Sequence, residues 1–149
     1  MRVIGGKFKG KKILEPKDKE TRPLKDMVKE SIFNIIEHSN DISSKLKEAI
    51  VLDLFSGTGS FGLECISRGA KKVIFNESYN IAIEILEKNI KNLNCENKCQ
   101  ILKSDCFNLL KNFNEKVDII FMDPPFKEEK INELIISITE ANILKQNAL

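Results

Sequence analysis

The fifteen residues IVLDLFSGTGSFGLE (Ile50–Glu64) decide how this chain folds. Ile50 to Phe55 is an apolar run broken only by Asp53, the pattern of a strand buried on both faces. Ser56-Gly57-Thr58-Gly59 has the composition of a tight loop. Ser60 to Arg68 then reads as a helix, closed by Gly69, a usual helix-ending residue. Strand, glycine loop and helix in that order open a βαβ unit.

Downstream the pattern repeats. Lys72 to Glu77 is a second strand, and Tyr79 to Leu93 a helix with Ile83, Leu86 and Ile90 on its apolar face. Lys98 to Lys103 is a third strand, Cys106 to Phe113 a short helix and Val117 to Met122 a fourth strand. Glu128 to Leu144 is a last amphipathic helix. Strand and helix alternate four times, which predicts right-handed crossovers and a parallel, Rossmann-like α/β sheet. Ligands of such sheets sit beyond the carboxyl ends of the strands. The loops after residues 53, 77, 103 and 122 are therefore the ones that carry function.

Upstream, residues 3 to 14 alternate apolar and basic character around three glycines and predict a small β-hairpin. Residues 15 to 22 are a polar linker. A helix starts near Pro23, a residue suited to a first turn. Leu24, Val28, Ile32, Ile35 and Ile36 fall on one face at helical spacing, and residues 38 to 48 form a polar loop or short helix. This divides the chain into a basic arm (1–22) and a Rossmann-like domain (23–149).

With 149 residues, 42% hydrophobic and 31% charged, the chain is the size of one domain with a real core. No apolar run approaches a membrane span, and no secretory signal opens the sequence. A cytoplasmic, monomeric protein is the simplest expectation. Residues 1–30 hold ten basic and five acidic side chains, a net +5 that leaves −3 on the remaining 119 against a total of +2. Such an arm either meets a polyanion or is simply a solvated, lysine-rich terminus. Cys65, Cys95, Cys99 and Cys106, with the lone His38, do not have the paired spacing of a metal site. They read as thiols in a reducing compartment.

Gly57-Thr58-Gly59-Ser60-Phe61-Gly62 fits G-x-G-x-x-G, with Glu77 where a ribose-binding acid belongs. A dinucleotide thus competes for the site. Two features weigh against it. Asp53, just before the loop, would repel a pyrophosphate placed at the helix N-terminus. It would welcome the ammonium and sulfonium of S-adenosyl-L-methionine. The second feature is Asp123-Pro124-Pro125-Phe126 at the end of the fourth strand. Two consecutive prolines fix the backbone and remove two N–H donors. The Pro124 carbonyl and Asp123 carboxylate can then accept both hydrogens of an exocyclic amine, and Phe126 can stack on a base. Acceptors on the amine bring its delocalised lone pair towards the carbon under attack. No metal is needed.

DLFSGTGSFGLE (53–64) resembles the first motif of class I methyltransferases, and DPPF (123–126) the motif of those that methylate exocyclic amines. RVIGGKFKGKKILEP (2–16) and TRPLKDMVKESIFNII (21–36) are similar to the opening of the RsmD family, bacterial guanine-N2 methyltransferases of small-subunit ribosomal RNA. The resemblance runs through essentially the whole chain. It differs at Leu24 and Met27, where threonine and arginine are expected, and at Asn76, where a residue such as valine is expected.

The resemblance implies a class I methyltransferase sheet, S-adenosyl-L-methionine as cofactor, and rRNA or a partly assembled small ribosomal particle as substrate. It implies that Asp53, Phe55, Ser56, Gly57, Thr58 and Gly59 line the methionine part and that Glu77 takes the ribose hydroxyls. Asp105 and Cys106 would flank the adenine, and Asp123, Pro124, Pro125 and Phe126 would hold a flipped guanine. Lys7, Lys9, Lys11, Lys12 and Arg22 would meet RNA phosphates. Adenine-N6 of DNA or RNA and protein glutamine are other amines such a motif serves. A chain that binds RNA or cofactor without turnover is the non-enzymatic alternative. Family members continue into a fifth strand and a closing hairpin, so residues 146–149 fall where that strand begins. The chain is expected to bare an apolar strand edge there.

Overall fold

The computed structural model describes residues 1–16, 26–38, 46–125 and 130–149. Arg22, Pro23, Leu24 and Phe126 lie outside these, as does the expected start of the first helix. The elements are α1 (Asp26–His38), β1 (Ile50–Leu54), α2 (Ser60–Ser67), β2 (Lys72–Glu77) and α3 (Asn80–Leu93). They continue with β3 (Cys99–Lys103), α4 (Cys106–Asn112), β4 (Ile119–Met122) and α5 (Ile131–Glu140). All four strands are parallel, in the order β3-β2-β1-β4.

Alternation along the strands gives the sheet two apolar faces, and each has its own core. Val51, Val73, Phe75 and Ile119 belong to one cluster, with Phe33 of α1, Phe61 and Leu63 of α2, and Leu86 and Ile90 of α3. Leu52, Leu54 and Ile74 belong to the other, with Leu110 of α4 and Leu134 and Ile138 of α5. Burying each such side chain stabilises the fold by about 1.5–3 kcal/mol before entropy is counted. Gly62 sets how closely α2 approaches β2, since a Cβ there would lie 2.3 Å from the Phe75 ring and 2.7 Å from Val73 Cγ1.

Three expectations change. The buried face of α1 is Lys29, Phe33 and Ile36, whereas Val28 and Ile35 are exposed. The helix is turned by Lys29, which apolar periodicity places on the surface. The N-terminal hairpin is reduced to one antiparallel bridge, Arg2 with Lys12. A 3-10 turn at Gly6–Phe8 takes the place of regular strands. The last helix stops at Glu140, not Leu144, because Asn142 adopts a left-handed φ of 50°. Residues 143–149 then run beside β4. Val117 N–H donates to Ile143 O (2.8 Å), Lys145 N–H to Val117 O (3.0 Å) and Ile120 N–H to Leu149 O (2.8 Å). The β4 edge expected to be bare is therefore hydrogen-bonded, although Leu144 and Leu149 keep exposed surface.

The arm is fastened to α2 by the buried side chains of Ser67, which bonds Gly5 and Phe8, and of Glu64. Glu64, 0% exposed, accepts from Ile4 N–H (2.9 Å), Gly5 N–H (2.7 Å) and Arg68 Nε (2.8 Å). Lys29 Nζ lies 3.6 Å from it and also donates to Arg2 O at 2.8 Å. Removing one member of such a network would leave a buried charge uncompensated. Gly6 has a positive φ of 70°, and a Cβ there would fall 1.9 Å from Ser67 O. Only glycine lets the arm lie this close to α2.

Candidate active site at the carboxyl edge of the sheet

The order β3-β2-β1-β4 places the first strand in the interior. The chain steps to one side of β1 for β2 and β3 and returns to its other side for β4. The crevice between the loops after β1 and β4 is the topological switch point, where such sheets bind ligands. Leu54 is in register with Asn76 on one side and Met122 on the other. The glycine loop, Glu77 and Asp123 thus leave the sheet at the same level.

The glycine loop is bent by left-handed residues. Phe55 (φ 57°), Gly57 (φ 54°) and Gly59 (φ 85°) all have positive φ. A Cβ on Gly59 would lie 2.4 Å from Leu86 Cδ1, so both conformation and space demand glycine there. Backbone bonds hold the bend, from Gly59 N–H to Ser56 O (2.8 Å) and from Ser56 N–H to Asn76 O (3.0 Å). Thr58 and Ser56 are both buried, and Ser56 Oγ has no hydrogen-bond partner among the described residues.

Two acids complete the loop. Asp53 is 1% exposed, and its Oδ2 accepts the Gly62 N–H from the first turn of α2 at 3.0 Å. Burial pushes its carboxyl up to about 8. The Gly62 bond opposes the rise, and the charges of Glu77 and Asp123 add to it. Glu77 accepts from Gly57 N–H at 2.7 Å, and from Ser78 N–H (2.8 Å) and Tyr79 N–H (2.9 Å). One carboxylate therefore ties the glycine loop to the start of α3.

The remaining predicted residues are spread around this centre. Asp105 is exposed and caps α4, accepting from Phe107 N–H (3.0 Å) and Asn108 N–H (3.3 Å). Cys106 is 3% exposed and packs in the core beneath α4 and α5. Asp123 follows β4 directly and is exposed, with Pro124 half-buried and Pro125 exposed. Lys7, Lys9, Lys11 and Lys12 are all exposed on the arm. Lys7 Nζ lies 5.6 Å from the Phe8 ring centroid.

Two buried asparagines join the site without any motif to mark them. Asn76, 2% exposed, donates its side-chain amide to Leu102 O (3.1 Å) and Ser104 O (2.8 Å). With its backbone on Ser56, it joins the glycine loop to the loop that carries Asp105. Asn89, 1% exposed, donates to Thr58 O (3.0 Å) and Leu14 O (3.1 Å) and accepts from Leu14 N–H (2.8 Å). It joins the glycine loop to the arm. The only signal for them in the sequence is polarity itself: an asparagine in a buried strand, and one next to Ile90 on the core side of α3.

Comparison with known proteins fits this arrangement. The family model described as conserved hypothetical protein 95 matches residues 1–149. A Buchnera aphidicola protein named ribosomal RNA small subunit methyltransferase D is 36% identical over 149 residues, covering 100% of this chain and 73% of its own length. The Bacillus subtilis putative rRNA methyltransferase YlbH is 35% identical, covering 99% of this chain and 78% of its own. Among solved structures, the putative methyltransferase yhhF of Escherichia coli superposes with a TM-score of 0.85 at 28% identity. It covers 99% of this chain and 76% of that one. A putative methylase from Haemophilus influenzae gives 0.75 at 32% identity, with 99% and 77% covered. A whole-length family match, relatives above 30% identity and the class I sheet agree, and the chain belongs to the RsmD family of methyltransferases.

Proposed function

We propose that this protein transfers a methyl group from S-adenosyl-L-methionine to the exocyclic N2 of a guanine in small-subunit rRNA. The observation that carries the reading is the strand register, which brings the glycine loop after Asp53, Glu77 and Asp123 off the sheet at one level, Leu54 lying beside Asn76 and Met122. A cluster of carboxylates suits a cationic ligand and opposes a pyrophosphate. The unpartnered, buried Ser56 Oγ and the glycine cradle fit a polar small molecule lying across the loop. Relatives named as rRNA methyltransferases support the same reading.

Each residue has a task on this reading. Asp53 fixes the first turn of α2 through Gly62 and turns negative charge to the methionine cation. Phe55, Ser56, Gly57, Thr58 and Gly59 surround the methionine part. Glu77, held by three N–H donors, offers its carboxylate to the ribose hydroxyls. Asp105 and the Cys106 backbone border the adenine. The cofactor supplies a methyl already activated by its sulfonium charge. Asp123 and the Pro124 carbonyl accept the two amine hydrogens, turning the nitrogen lone pair to the methyl carbon. Pro125 holds this geometry, and Phe126 stacks on the base. Lys7, Lys9, Lys11, Lys12 and Arg22 bind phosphates of rRNA or of a partly assembled small particle.

The test uses small ribosomal particles from cells lacking the family enzyme. They are incubated with the chain and radiolabelled S-adenosyl-L-methionine, and the rRNA is digested to nucleosides. Label in N2-methylguanosine is the expected result. Label in N6-methyladenosine, or none with cofactor bound, overturns the assignment of the amine.

A further inference from the structure

The junction between α3 and β3 holds a pair of thiols that the methyl-transfer reading does not use. Cys95 follows Asn94, whose left-handed φ of 51° ends α3. Glu96–Lys98 form a 3-10 turn, and Cys99 opens β3. The turn folds the chain back, so that the two sulfurs lie 3.8 Å apart. Cys95 S–H donates to Ile90 O at 3.6 Å. Its lone pairs are thereby left to face the Cys99 S–H. Cys95 is 2% exposed, and Cys99 is half-buried. One thiol is open to reagent while the other waits behind it.

We infer that Cys95 and Cys99 form a redox-active dithiol that closes to an intrachain disulfide on meeting a small disulfide oxidant. The pair gives up one proton, and the accessible Cys99 sulfur attacks one sulfur of the oxidant RSSR as its own proton passes to Cys95 across the S–H···S contact. It forms a mixed disulfide and releases the first RS⁻, which leaves as RSH with the proton the pair gave up. Cys95 then attacks the Cys99 sulfur, forming the protein S–S bond and expelling the second RS⁻, which takes the Cys95 proton. Two protein thiols are oxidised and one RSSR is reduced to two RSH. The hydrogen bond between the sulfurs draws the Cys95 thiol below its ordinary range and pushes that of Cys99 up. The first proton lost from the pair is therefore the easier one. The sulfurs must close by less than 2 Å to reach bonding distance, about 2.05 Å. The bond would staple the end of α3 to β3. The remaining cysteines, Cys65 and Cys106, are both buried.

The experiment equilibrates the full chain in glutathione buffers of increasing oxidised fraction. Acid quenching, alkylation and mass spectrometry follow. The folded chain is expected to lose two hydrogens, with the closure mapped to the peptide containing Cys95 and Cys99. Cys95→Ser should stop at one glutathione on Cys99, and Cys99→Ser should remain unmodified at Cys95. Cys65→Ser should close normally. Closure in the folded chain should be favoured at least about tenfold over the urea-unfolded chain, because the fold holds the thiols together. Equal closure in both, a persistent glutathione adduct in the wild type, or full alkylation at every buffer ratio overturns the inference.

Discussion

On the β1–β2 side of the crevice three polar side chains are already bonded to the protein, while the buried Ser56 Oγ has no partner among the described residues. Asp53 holds Gly62, Glu77 holds Gly57, Ser78 and Tyr79, and Asn76 holds Leu102 and Ser104. On the β4 side Asp123 and Pro125 stand exposed. The difference teaches how labour is divided. On the proposed reading a cofactor is bound in one pose before every turnover, and a side preorganised by backbone donors suits that task. The other side has rigid prolines and an exposed carboxylate, which on the same reading face the substrate. Changes on the two sides should therefore separate cofactor affinity from turnover.

The largest effect belongs to the open side. Asp123→Ala is expected to lower methyl transfer about 10²–10⁴-fold, the range for a lost proton acceptor. Calorimetric affinity for S-adenosyl-L-homocysteine should stay within about twofold of wild type. An equally active variant removes Asp123 from the chemistry. A variant that loses the cofactor as well dissolves the division between the two sides.

The arm, bonded to α2 and through Asn89 to the glycine loop, should act on RNA through charge alone. Changing Lys7, Lys9, Lys11 and Lys12 to Gln should weaken RNA binding. The slope of log affinity against log salt should fall by up to about 3, at roughly 0.7 for each phosphate no longer neutralised. Cofactor affinity should not move. A constant salt slope in filter-binding titrations would place the RNA-binding surface elsewhere.

On the wired side, Asn76→Val keeps a similar volume but removes the side-chain bonds to Leu102 and Ser104. Each such bond is worth about 0.5–1.5 kcal/mol. The KM for the cofactor should rise about tenfold, while kcat at saturating cofactor changes little. A fall in kcat with KM unchanged would make Asn76 part of the chemistry rather than of the scaffold.

Much of this is legible in the sequence, for a physical reason. Strands of a parallel sheet are buried on both faces, so β1, β2 and β4 announce themselves as apolar runs, and the loops after them follow. Lys29 is illegible because a charged side chain counts as surface until its partner Glu64 is seen. Asn76 and Asn89 are illegible because their partners are backbone groups 26 to 75 residues away in the chain. The end of α5 is hidden because Ile143 and Leu144 continue the helical pattern. Yet Ile143 is 1% exposed and its carbonyl accepts from Val117, just before β4, instead.

The smallest effect tests whether the wired side is also electrically poised. Asp53 has its carboxyl raised from 3.8 to about 8 by burial, against the Gly62 N–H and with the charges of Glu77 and Asp123. Below that value the apo carboxyl is neutral. A bound cation favours the carboxylate, so binding must release a proton. Cofactor affinity should then rise with pH, by at most about tenfold per unit for one linked proton, and level off above about pH 8. Apo stability has the opposite sign. The folded state holds the proton more tightly than the unfolded one. The contribution is therefore full below 3.8 and lost as pH rises to about 8. Calorimetry in buffers of differing ionisation enthalpy at pH 7 counts the proton directly. Asp53→Asn should abolish the release while keeping most of the fold. If the mutant releases the same fraction of a proton, Asp53 already carries its charge in the empty site, and the proton comes from another group.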